Sequence, residues 1–383
     1  MNTNYIFHTV RCIAVAAAAS LTFSFSGCIT EFTPEGIEEV SDLLIVDGAI
    51  TDSVSTILLS HSVGLSEYLT GNEGIENAQL YVEAENGKRF DGVHEGKGTY
   101  TIATGALDTN TRYRLRISLK GNEYQSSFLA PLITPEIDSI APTKKGQGEP
   151  VFMCVNTHDP LNQSRYYRWS YEENWEIKAE LFANAGYVEN GPPNYFSLSN
   201  SNNTYYCWGK NRSRILILAT TEKLSDNIVY QKRLVEIPSD NEKLSVLYYI
   251  KVKQNILRKE AYDYFSNLQK NVEQTGSIFS PVPSEMKGNI ECINNPELPV
   301  IGYIEVSTTV QKDLFVPENY GLYESPYRSC SNLVTDDPEF APPVYAYYEY
   351  MPPSHVTYAP RRCVDCTTRG TKNKPDFWPN NHY

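Results

Sequence analysis

The sequence predicts a mostly β protein, in which an N-terminal immunoglobulin-like β-sandwich over residues 38–135 precedes a larger β-rich domain over residues 151–383. Short apolar or alternating segments recur between turn signals in both regions, which is the pattern of antiparallel strands. Only residues 257–274 carry apolar side chains at helical spacing, and they predict one main amphipathic helix. Residues 136–150 are rich in Pro and Gly and are therefore predicted to be a linker between the two domains.

The N-terminal residues have the features of an export signal. The uncharged, Ala-rich segment after Arg11 ends in Ser-Gly-Cys at residues 26–28. A basic residue, an apolar segment of about 7–15 residues and small residues at a cleavage site define such a signal, whereas a membrane span needs about 20 predominantly apolar residues. The Ser-Gly-Cys segment also resembles a bacterial lipobox, in which the cysteine after the cleavage site is acylated. This resemblance implies a lipoprotein signal peptide at 1–27 and lipidation of Cys28, followed by an acidic tether at 28–37. The alternatives are a secreted protein without lipid and a buried core helix.

The predicted N-terminal sandwich is built from short strands. The candidate strands are residues 43–50, 55–60, 78–84, 98–102 and 112–119. Asn86-Gly87 follows the third of these and is the strongest short hairpin signal, because both residues accept a positive φ. Residues 112–119 alternate strictly between apolar and polar side chains, which predicts a half-buried strand of an antiparallel sheet.

The C-terminal domain is predicted to contain further strands and the helix. The candidate strands are residues 151–156, 166–177, 214–220, 228–237, 244–253 and 300–309, with one more near 344–350. The helical stripe consists of Leu257, Ala261, Tyr264, Phe265, Leu268 and Val272. Thr275-Gly276 ends this stripe, since Gly is suited to a left-handed C-cap. We expect the helix to pack across a sheet.

Composition and motifs argue against several classes of function. Asp and Glu outnumber Lys and Arg, 46 to 33, and the net charge of −13 argues against nucleic acid as a partner. The sequence contains no glycine-rich phosphate-binding loop, no zinc-protease or serine-hydrolase motif and no EF-hand loop. We therefore predict no cofactor, no metal and no catalytic residue. The alternative is a glycan or peptide hydrolase that uses Glu172, Glu173 or Glu176, because glycoside cleavage needs two carboxyl groups about 5–10 Å apart.

Six cysteines follow Cys28, and we predict that they form structural disulfides. They are Cys154, Cys207, Cys292, Cys330, Cys363 and Cys366. An even number of cysteines in an exported chain is typical of a disulfide framework. The alternatives for Cys363-Val-Asp-Cys366 are a zinc site or a redox-active pair, although no second motif of this kind occurs. We expect Cys330 to pair with one of these two cysteines and so to hold the C-terminal part.

Aromatic side chains are the remaining candidates for a binding surface. The chain has 28 tyrosines, and aromatic residues cluster near 166–175, 205–208 and 345–350. Such clusters usually fill sandwich cores, but they also bind sugars, peptides or partner surfaces. The last cluster is flanked by Pro and polar residues, and we expect it to be the most exposed. Its tyrosines are the predicted ligand or partner contacts: Tyr345, Tyr347, Tyr348 and Tyr350.

Several segments together resemble one family. They are residues 44–52, 166–177, 260–290, 299–308 and 363–379. The helix segment combined with the Cys-Val-Asp-Cys and Lys-Pro-Asp-Phe-Trp ending is similar to the Bacteroidota lipoprotein family catalogued as domain of unknown function 4249. The resemblance implies an exported, lipid-anchored, mostly β protein, often encoded beside TonB-dependent outer-membrane receptors. It also implies a C-terminal tail held by a disulfide and by Phe377 and Trp378, and it carries no established catalytic residue.

These features predict an outer-membrane lipoprotein that is lipid-anchored on the periplasmic or cell-surface side. We expect it to be a noncatalytic accessory or ligand-binding partner of a TonB-dependent receptor in nutrient uptake. Its expected partners are membrane lipid, through acylated Cys28, and the receptor itself. A cell-surface adhesion or envelope-structure module is the alternative, and the hydrolase is the third hypothesis.

Overall fold

Strands dominate the part of the chain that the computed structural model describes. The described residues are 43–62, 74–183, 185–186, 194–195, 203–274, 288–324, 330, 345–348 and 356–379. The chain divides into two compact units, Met1–Ser41 and Asp42–Tyr383, and all described residues lie in the second unit. Within these ranges one long helix accompanies the strands, which confirms the predicted mostly β class with one main helix.

The elements are numbered along the chain. The strands are β1 (Leu44–Ile50), β2 (Ser53–His61), β3 (Gln79–Ala84), β4 (Arg89–Gly96), β5 (Thr99–Gly105), β6 (Tyr113–Leu119), β7 (Asn122–Ser126), β8 (Ile137–Lys144), β9 (Val151–His158), β10 (Tyr166–Lys178), β11 (Ala185–Gly186), β12 (Asn194–Tyr195), β13 (Tyr206–Arg212), β14 (Ile217–Thr220), β15 (Ile228–Ile237), β16 (Leu247–Leu257), β17 (Ile290–Cys292), β18 (Val300–Gly302), β19 (Glu305–Val306), β20 (Val310–Pro317), β21 (Tyr345–Tyr348) and β22 (Val356–Ala359). The helices are α1 (Lys259–Gln274) and α2 (Arg361–Val364), and short 3-10 turns occupy Glu242–Leu244, Glu318–Tyr320 and Cys366–Thr368.

A curled sheet forms the N-terminal sandwich. Its strand order is β17-β7-β6-β3-β4-β5-β2-β1-β18, and β19 also pairs with β1. The strand β4 pairs with β3 through residues 89–91 and with β5 through residues 92–96, so it joins two layers. Side chains from both layers, such as Ile57 and Ile117, share one apolar core. The layers therefore pack as expected for a sandwich, although the sheet is continuous.

Local signals place the strands of this sandwich correctly. The predicted Asn86-Gly87 turn connects β3 to β4, with a φ of +87° at Gly87. The Asn86 side chain accepts a hydrogen bond from Lys88 N at 3.0 Å, as expected for an Asx turn. In β6, every second side chain from Tyr113 to Leu119 is buried, so the strict alternation in the sequence corresponds to a core face and an outer face.

Residues 290–306 complete the N-terminal sandwich although they lie far along the chain. The strand β17 extends the sheet beyond β7, and β18 and β19 run parallel to β1. The Asn289 side chain accepts from Ile304 N and donates to Ile304 O, both at 2.8 Å. Ile304 and Val306 are 0% exposed in the N-terminal core. The sandwich thus extends beyond the predicted range 38–135, because pairing between distant segments leaves no local signal in the sequence.

Two further sheets form the second sandwich. One has the order β13-β10-β16-β20, with β14 added beside β10, and the other has the order β15-β9-β8. They share a core that contains large side chains from both sheets, among them Met153, Trp169 and Tyr248. Each sheet alone would leave one apolar face in water, and packing the two together buries both.

The structure corrects the prediction of a linker at residues 136–150. Most of this range is β8, which pairs antiparallel with β9 along its whole length. Pro142 lies opposite Met153 in this ladder. Proline is tolerated there because β8 ends the described sheet, and an edge strand does not need every N–H for pairing. The density of prolines concealed the strand in the sequence.

The helix α1 begins two residues after the predicted start at residue 257. Leu257 instead ends β16, where it lies opposite Tyr166 of β10. The helix packs through a cluster of buried side chains that includes residues of both sandwiches: Leu218, Leu257, Ala261, Tyr264, Phe265 and Tyr303. None of the helices in the described part of the chain combines the length and the hydrophobicity required to cross a bilayer.

Shortening Ile304 is expected to destabilise the protein because residues 290–306 belong to the N-terminal core. Ile304→Ala removes a side chain that is 0% exposed, and such truncations lower the free energy of unfolding by about 2–5 kcal/mol. The matched control is Ile293→Ala, since Ile293 lies in the same segment but is 42% exposed; it should cost less than about 1 kcal/mol. Urea unfolding measures both, and equal small effects would contradict the assignment.

Candidate functional site

Two buried disulfides hold the C-terminal segment. Cys207 in β13 bonds to Cys366, and Cys330 bonds to Cys363 in α2. The predicted pairing of Cys330 with one cysteine of the Cys-x-x-Cys motif is confirmed. Each cysteine of the motif bonds to a distant partner, so neither is a thiolate available for zinc or for dithiol exchange. Among the described residues, no group of three or more His, Cys, Asp or Glu side chains is arranged to hold a metal ion.

The other two cysteines of the predicted framework form no disulfide. Cys154 is buried in the second sandwich, with its Sγ 3.4 Å from Thr143 Oγ1. Cys292 is buried in the N-terminal sandwich, where it lies opposite Tyr124. The prediction for these two was wrong because an even count of cysteines carries no information on their separation in space. Both behave as small buried side chains.

The motif between the disulfides is organised by Asp365. Its Oδ1 accepts from Thr367 N at 2.9 Å, and its Oδ2 accepts from Arg361 Nε at 2.8 Å. The side chain is 1% exposed. Burial alone would raise the pKa of Asp365, but the hydrogen bonds from Thr367 and Arg361 outweigh it and hold the pKa below its usual value of 3.8. The carboxylate therefore caps the turn that positions both disulfides.

Beyond the disulfides, the tail lies against the end of the sheet that contains β13 and β16. Trp208 in β13 forms a short antiparallel bridge with Thr371. Trp378 is buried with Trp208 and Tyr249, and its Nε1 donates to Glu176 Oε2 at 3.1 Å. The ring of Phe377 lies 4.5 Å from that of Tyr249. The structure thus confirms a tail held by a disulfide and by both aromatic residues.

The three glutamates proposed for hydrolysis do not meet in one cavity. Glu173 faces the core, where its Oε1 lies 2.5 Å from Lys243 Nζ and its Oε2 accepts from Tyr248 Oη at 2.9 Å. Glu176 is buried on the opposite face of β10, under Trp378. Glu172 is exposed and pairs with Lys253 at 2.9 Å. A strand alternates its side chains between two faces, so this spacing cannot bring Glu173 and Glu176 to one substrate.

The aromatic clusters are divided between core and surface. Tyr167 and Trp169 stack at 5.6 Å inside the second sandwich, and Trp169 Nε1 donates to Gln254 Oε1 at 2.8 Å. Burial raises the pKa of Tyr167, and nearby Asp159 adds to that shift. The predicted contacts Tyr345, Tyr347 and Tyr348 lie in β21, which pairs with β22, while Tyr350 lies outside the described residues. The prediction that these tyrosines contact a ligand or partner stays a prediction.

An open depression of about 450 Å³ lies where α1 begins. Its cations are engaged within the protein: Arg258 pairs with Glu305, Lys259 pairs with Asp263, and Arg165 donates to main-chain oxygens. Glu305 is 2% exposed, and burial raises its pKa despite the opposing effect of Arg258. The Arg258–Glu305 pair joins the helix start to the N-terminal sandwich, while the other contacts lie within α1 and within the second sandwich. We therefore assign the depression to packing around the helix start and not to ligand binding.

A broad polar surface covers the solvent side of the sheet that contains β13, β10, β16 and β20. We call it the outer face and define it by side chains that are cross-strand neighbours in two rows. One row is Lys210, Asn174, Tyr249 and Phe315, and the next is Arg212, Glu172, Lys251 and Asp313. Sequence reasoning missed this surface because its members come from four strands, and only the register brings them together. The alternation of buried and exposed side chains along β10 indicated the contribution of that one strand to the outer face.

The fold and these surfaces define a protein of two β-sandwiches with a disulfide-held C-terminal tail and an open, charged sheet face. The chain belongs to the family described as domain of unknown function (DUF4249), whose family model matches residues 29–313. The match ends within β20, so the disulfide-bonded motif and the aromatic tail lie beyond it. No curated protein matches the chain significantly.

Removing the cation beside Glu173 is expected to be strongly destabilising. Lys243→Met leaves a carboxylate that is 0% exposed without its ion-pair partner, and breaking a buried pair in this way costs about 3–5 kcal/mol. Lys253→Met is the matched control, because the Lys253–Glu172 pair is about half exposed and should contribute less than about 1 kcal/mol. Denaturant unfolding at pH 7 distinguishes them. If both variants lose a similarly small free energy of unfolding, buried Glu173 does not require Lys243 as its ion-pair partner.

The lowered pKa of Asp365 predicts a pH-dependent contribution to stability. A carboxyl group whose pKa is lower in the folded state stabilises the fold above its unfolded pKa, and that contribution is lost as the pH falls through the folded pKa. Asp365→Asn should therefore lower the free energy of unfolding at pH 7 by about 2 kcal/mol, the range for hydrogen bonds to a charged group. The difference from wild type should shrink below pH 3.8.

The control for this experiment is Asp376→Asn, which changes an exposed carboxylate in the same tail. Its unfolding free energy should follow that of the wild type at every pH. A constant deficit for Asp365→Asn from pH 7 to pH 3 would contradict the assignment, because it would show that the charge of Asp365 contributes nothing.

Proposed function

We propose that the chain is a lipid-anchored, noncatalytic binding module of the outer membrane that assists a TonB-dependent receptor in nutrient uptake. The observation that carries the proposal is the position of Cys28, directly after an uncharged export-type segment and shortly before the first strand. A multiply acylated N-terminus would keep the two sandwiches at a membrane, whereas a single chain gives only marginal binding.

The disulfides support an extracytoplasmic location. Cys207–Cys366 and Cys330–Cys363 are buried bonds that hold the tail on the second sandwich. Structural disulfides persist in oxidising compartments such as the periplasm and the cell surface. This agrees with export and is independent of the N-terminal sequence.

The placement of the carboxylates disfavours the hydrolase alternative. The two buried glutamates of β10 are engaged with Lys243 and with Trp378, and they point to opposite faces of the sheet. A hydrolase would need two carboxyl groups about 5–10 Å apart across one substrate. The partner assignment comes from the resemblance to lipoproteins encoded beside TonB-dependent receptors.

Lipid anchoring is tested with a serine substitution in the native host or a related Gram-negative cell. Cys28→Ser should move the protein from the membrane fraction to the soluble fraction, and mass spectrometry should find acyl chains on residue 28 of the wild type only. Cys12→Ser is the matched control, because residue 12 lies in the segment predicted to be removed. If both variants fractionate like the wild type and residue 28 is a bare thiol, the anchor is excluded.

The partnership is tested by crosslinking on intact cells followed by purification from membranes. A TonB-dependent receptor should be recovered with the wild type and lost with Cys28→Ser, since a soluble chain is no longer concentrated beside the receptor. Consistent recovery of matrix polymer or host surface protein without any receptor would favour the adhesion module instead.

A further inference from the structure

The outer face of the second sandwich concentrates positive charge on an acidic protein. The cations Lys210, Arg212, Lys251 and Lys253 project from this face of β13 and β16. The strand β10 lies between those two strands. The carboxylates on the same face belong to Glu172, which pairs with Lys253, to Asp313, and to Glu176, which is buried under Trp378. The outer face therefore has excess positive charge although the chain carries −13 overall.

Three of these cations have no partner of their own among the described residues. In that part of the chain, no ion pair or side-chain hydrogen bond is made by Lys210, Arg212 or Lys251. By contrast, the arginines of β6 are engaged: Arg114, for example, pairs with Glu83 at 2.7 Å. Unpaired cations on a regular strand surface are available to an external anion, and a nearby anion gains from several of them at once.

The spacing of the cations follows from sheet geometry. Lys210 and Arg212 are two residues apart on β13, as are Lys251 and Lys253 on β16, which places each pair about 7 Å apart along its strand. The two strands are both neighbours of β10, so the pairs lie about 10 Å apart across it. A ligand with anionic groups repeated along an extended chain fits such a grid better than a compact anion does.

An aromatic ring borders this grid. Phe377 is 48% exposed and rests on Tyr249 and Phe315, whose side chains continue the row of Lys210. Tyr249 itself is 4% exposed, and burial raises its pKa to about 12, with Asp313 adding to the shift. An exposed ring fixed from beneath is a suitable platform for the apolar face of a sugar ring.

We propose that the outer face binds an anionic polysaccharide, with Lys210, Arg212 and Lys251 contacting its carboxylate or sulfate groups and Phe377 stacking on a pyranose ring. The flat, open shape suits an extended polymer, because no deep cavity is required to enclose it. The inference rests on the proposed function in one respect, that the chain is a binding module. It needs neither the acyl anchor nor the receptor, so the two proposals fail separately.

The binding test uses the purified full-length protein in detergent and three polymers of stated chemistry. Polygalacturonate supplies carboxylates on sugar rings, dextran supplies neutral sugar rings, and polyglutamate supplies carboxylates without sugar. Calorimetry should detect binding of polygalacturonate, no binding of dextran, and binding of polyglutamate at least 10-fold weaker. The affinity for polygalacturonate should also fall as salt rises, because exposed charges are screened over about 8–10 Å near physiological ionic strength.

Variants locate the site. The double variant Lys210→Gln/Arg212→Gln should weaken polygalacturonate binding by about 10-fold or more, since it removes two charge-assisted contacts. The matched control Lys145→Gln/Lys223→Gln removes the same charge from exposed residues away from the outer face and should leave affinity unchanged. Phe377→Leu keeps an apolar side chain on Tyr249 but removes the ring, and it should weaken polygalacturonate binding by about 3-fold or more without changing that of polyglutamate.

Each other outcome overturns the proposal. Polyglutamate binding as tight as that of polygalacturonate would mean that the face recognises an acidic protein segment. Absent polygalacturonate binding, or binding that the double variant and its control reduce equally, would remove the outer face as a polysaccharide site. The four charged side chains replaced in the two double variants are exposed, so their unfolding curves should match the wild type. Phe377→Leu loses ring contacts with Tyr249 and Phe315, and its unchanged polyglutamate binding excludes misfolding as the cause.

Discussion

The pairing of β10 with β16 is the constraint on which the second half of the molecule depends. Ten consecutive residue pairs, from Tyr166–Leu257 to Trp175–Tyr248, set the register between these strands. That register directs Trp169 and Glu173 into the core and Glu172 to solvent. A shift by one residue would exchange the faces, burying Glu172 and exposing the large aromatic side chains. The core and the outer face are therefore two consequences of one ladder.

Polar groups buried on both sides of this ladder explain why the register is unique. The carboxylate of Glu173 is satisfied by a lysine, a tyrosine and Asn211 only when these strands are aligned as observed. On the other side, Glu176 meets the indole of Trp378. An incorrectly aligned sheet would leave these buried groups without partners, at a cost larger than that of losing an apolar contact. Apolar packing supplies most of the stability, and the polar contacts exclude alternative alignments.

The sequence allowed the local elements to be predicted and concealed the contacts between distant ones. Alternation in β6, the Asn-Gly turn and the helical stripe of α1 are properties of neighbouring residues. The first two were found in place, and the stripe was found from Ala261, while Leu257 ends β16. The return of residues 290–306 to the N-terminal sheet and the strand β8 were missed. The first depends on partners far away in the chain, and the second is a proline-containing edge strand whose pairing overrides its composition. The grid of cations on the outer face was invisible for the same reason, because it exists only once four strands are in register.

The closure of the first sandwich by residues 290–306 has a consequence for how the protein is made. Chains are synthesised starting from the N-terminus, and domains composed of contiguous residues can fold as soon as they are complete. Here the apolar core around Ile57 and Ile117 remains open until Ile304 and Val306 arrive, after most of the second sandwich has already been synthesised. Contacts over such separations slow folding. A chain of this topology would therefore expose an unfinished β-sheet for an extended period, during which chaperones have a defined segment to shield.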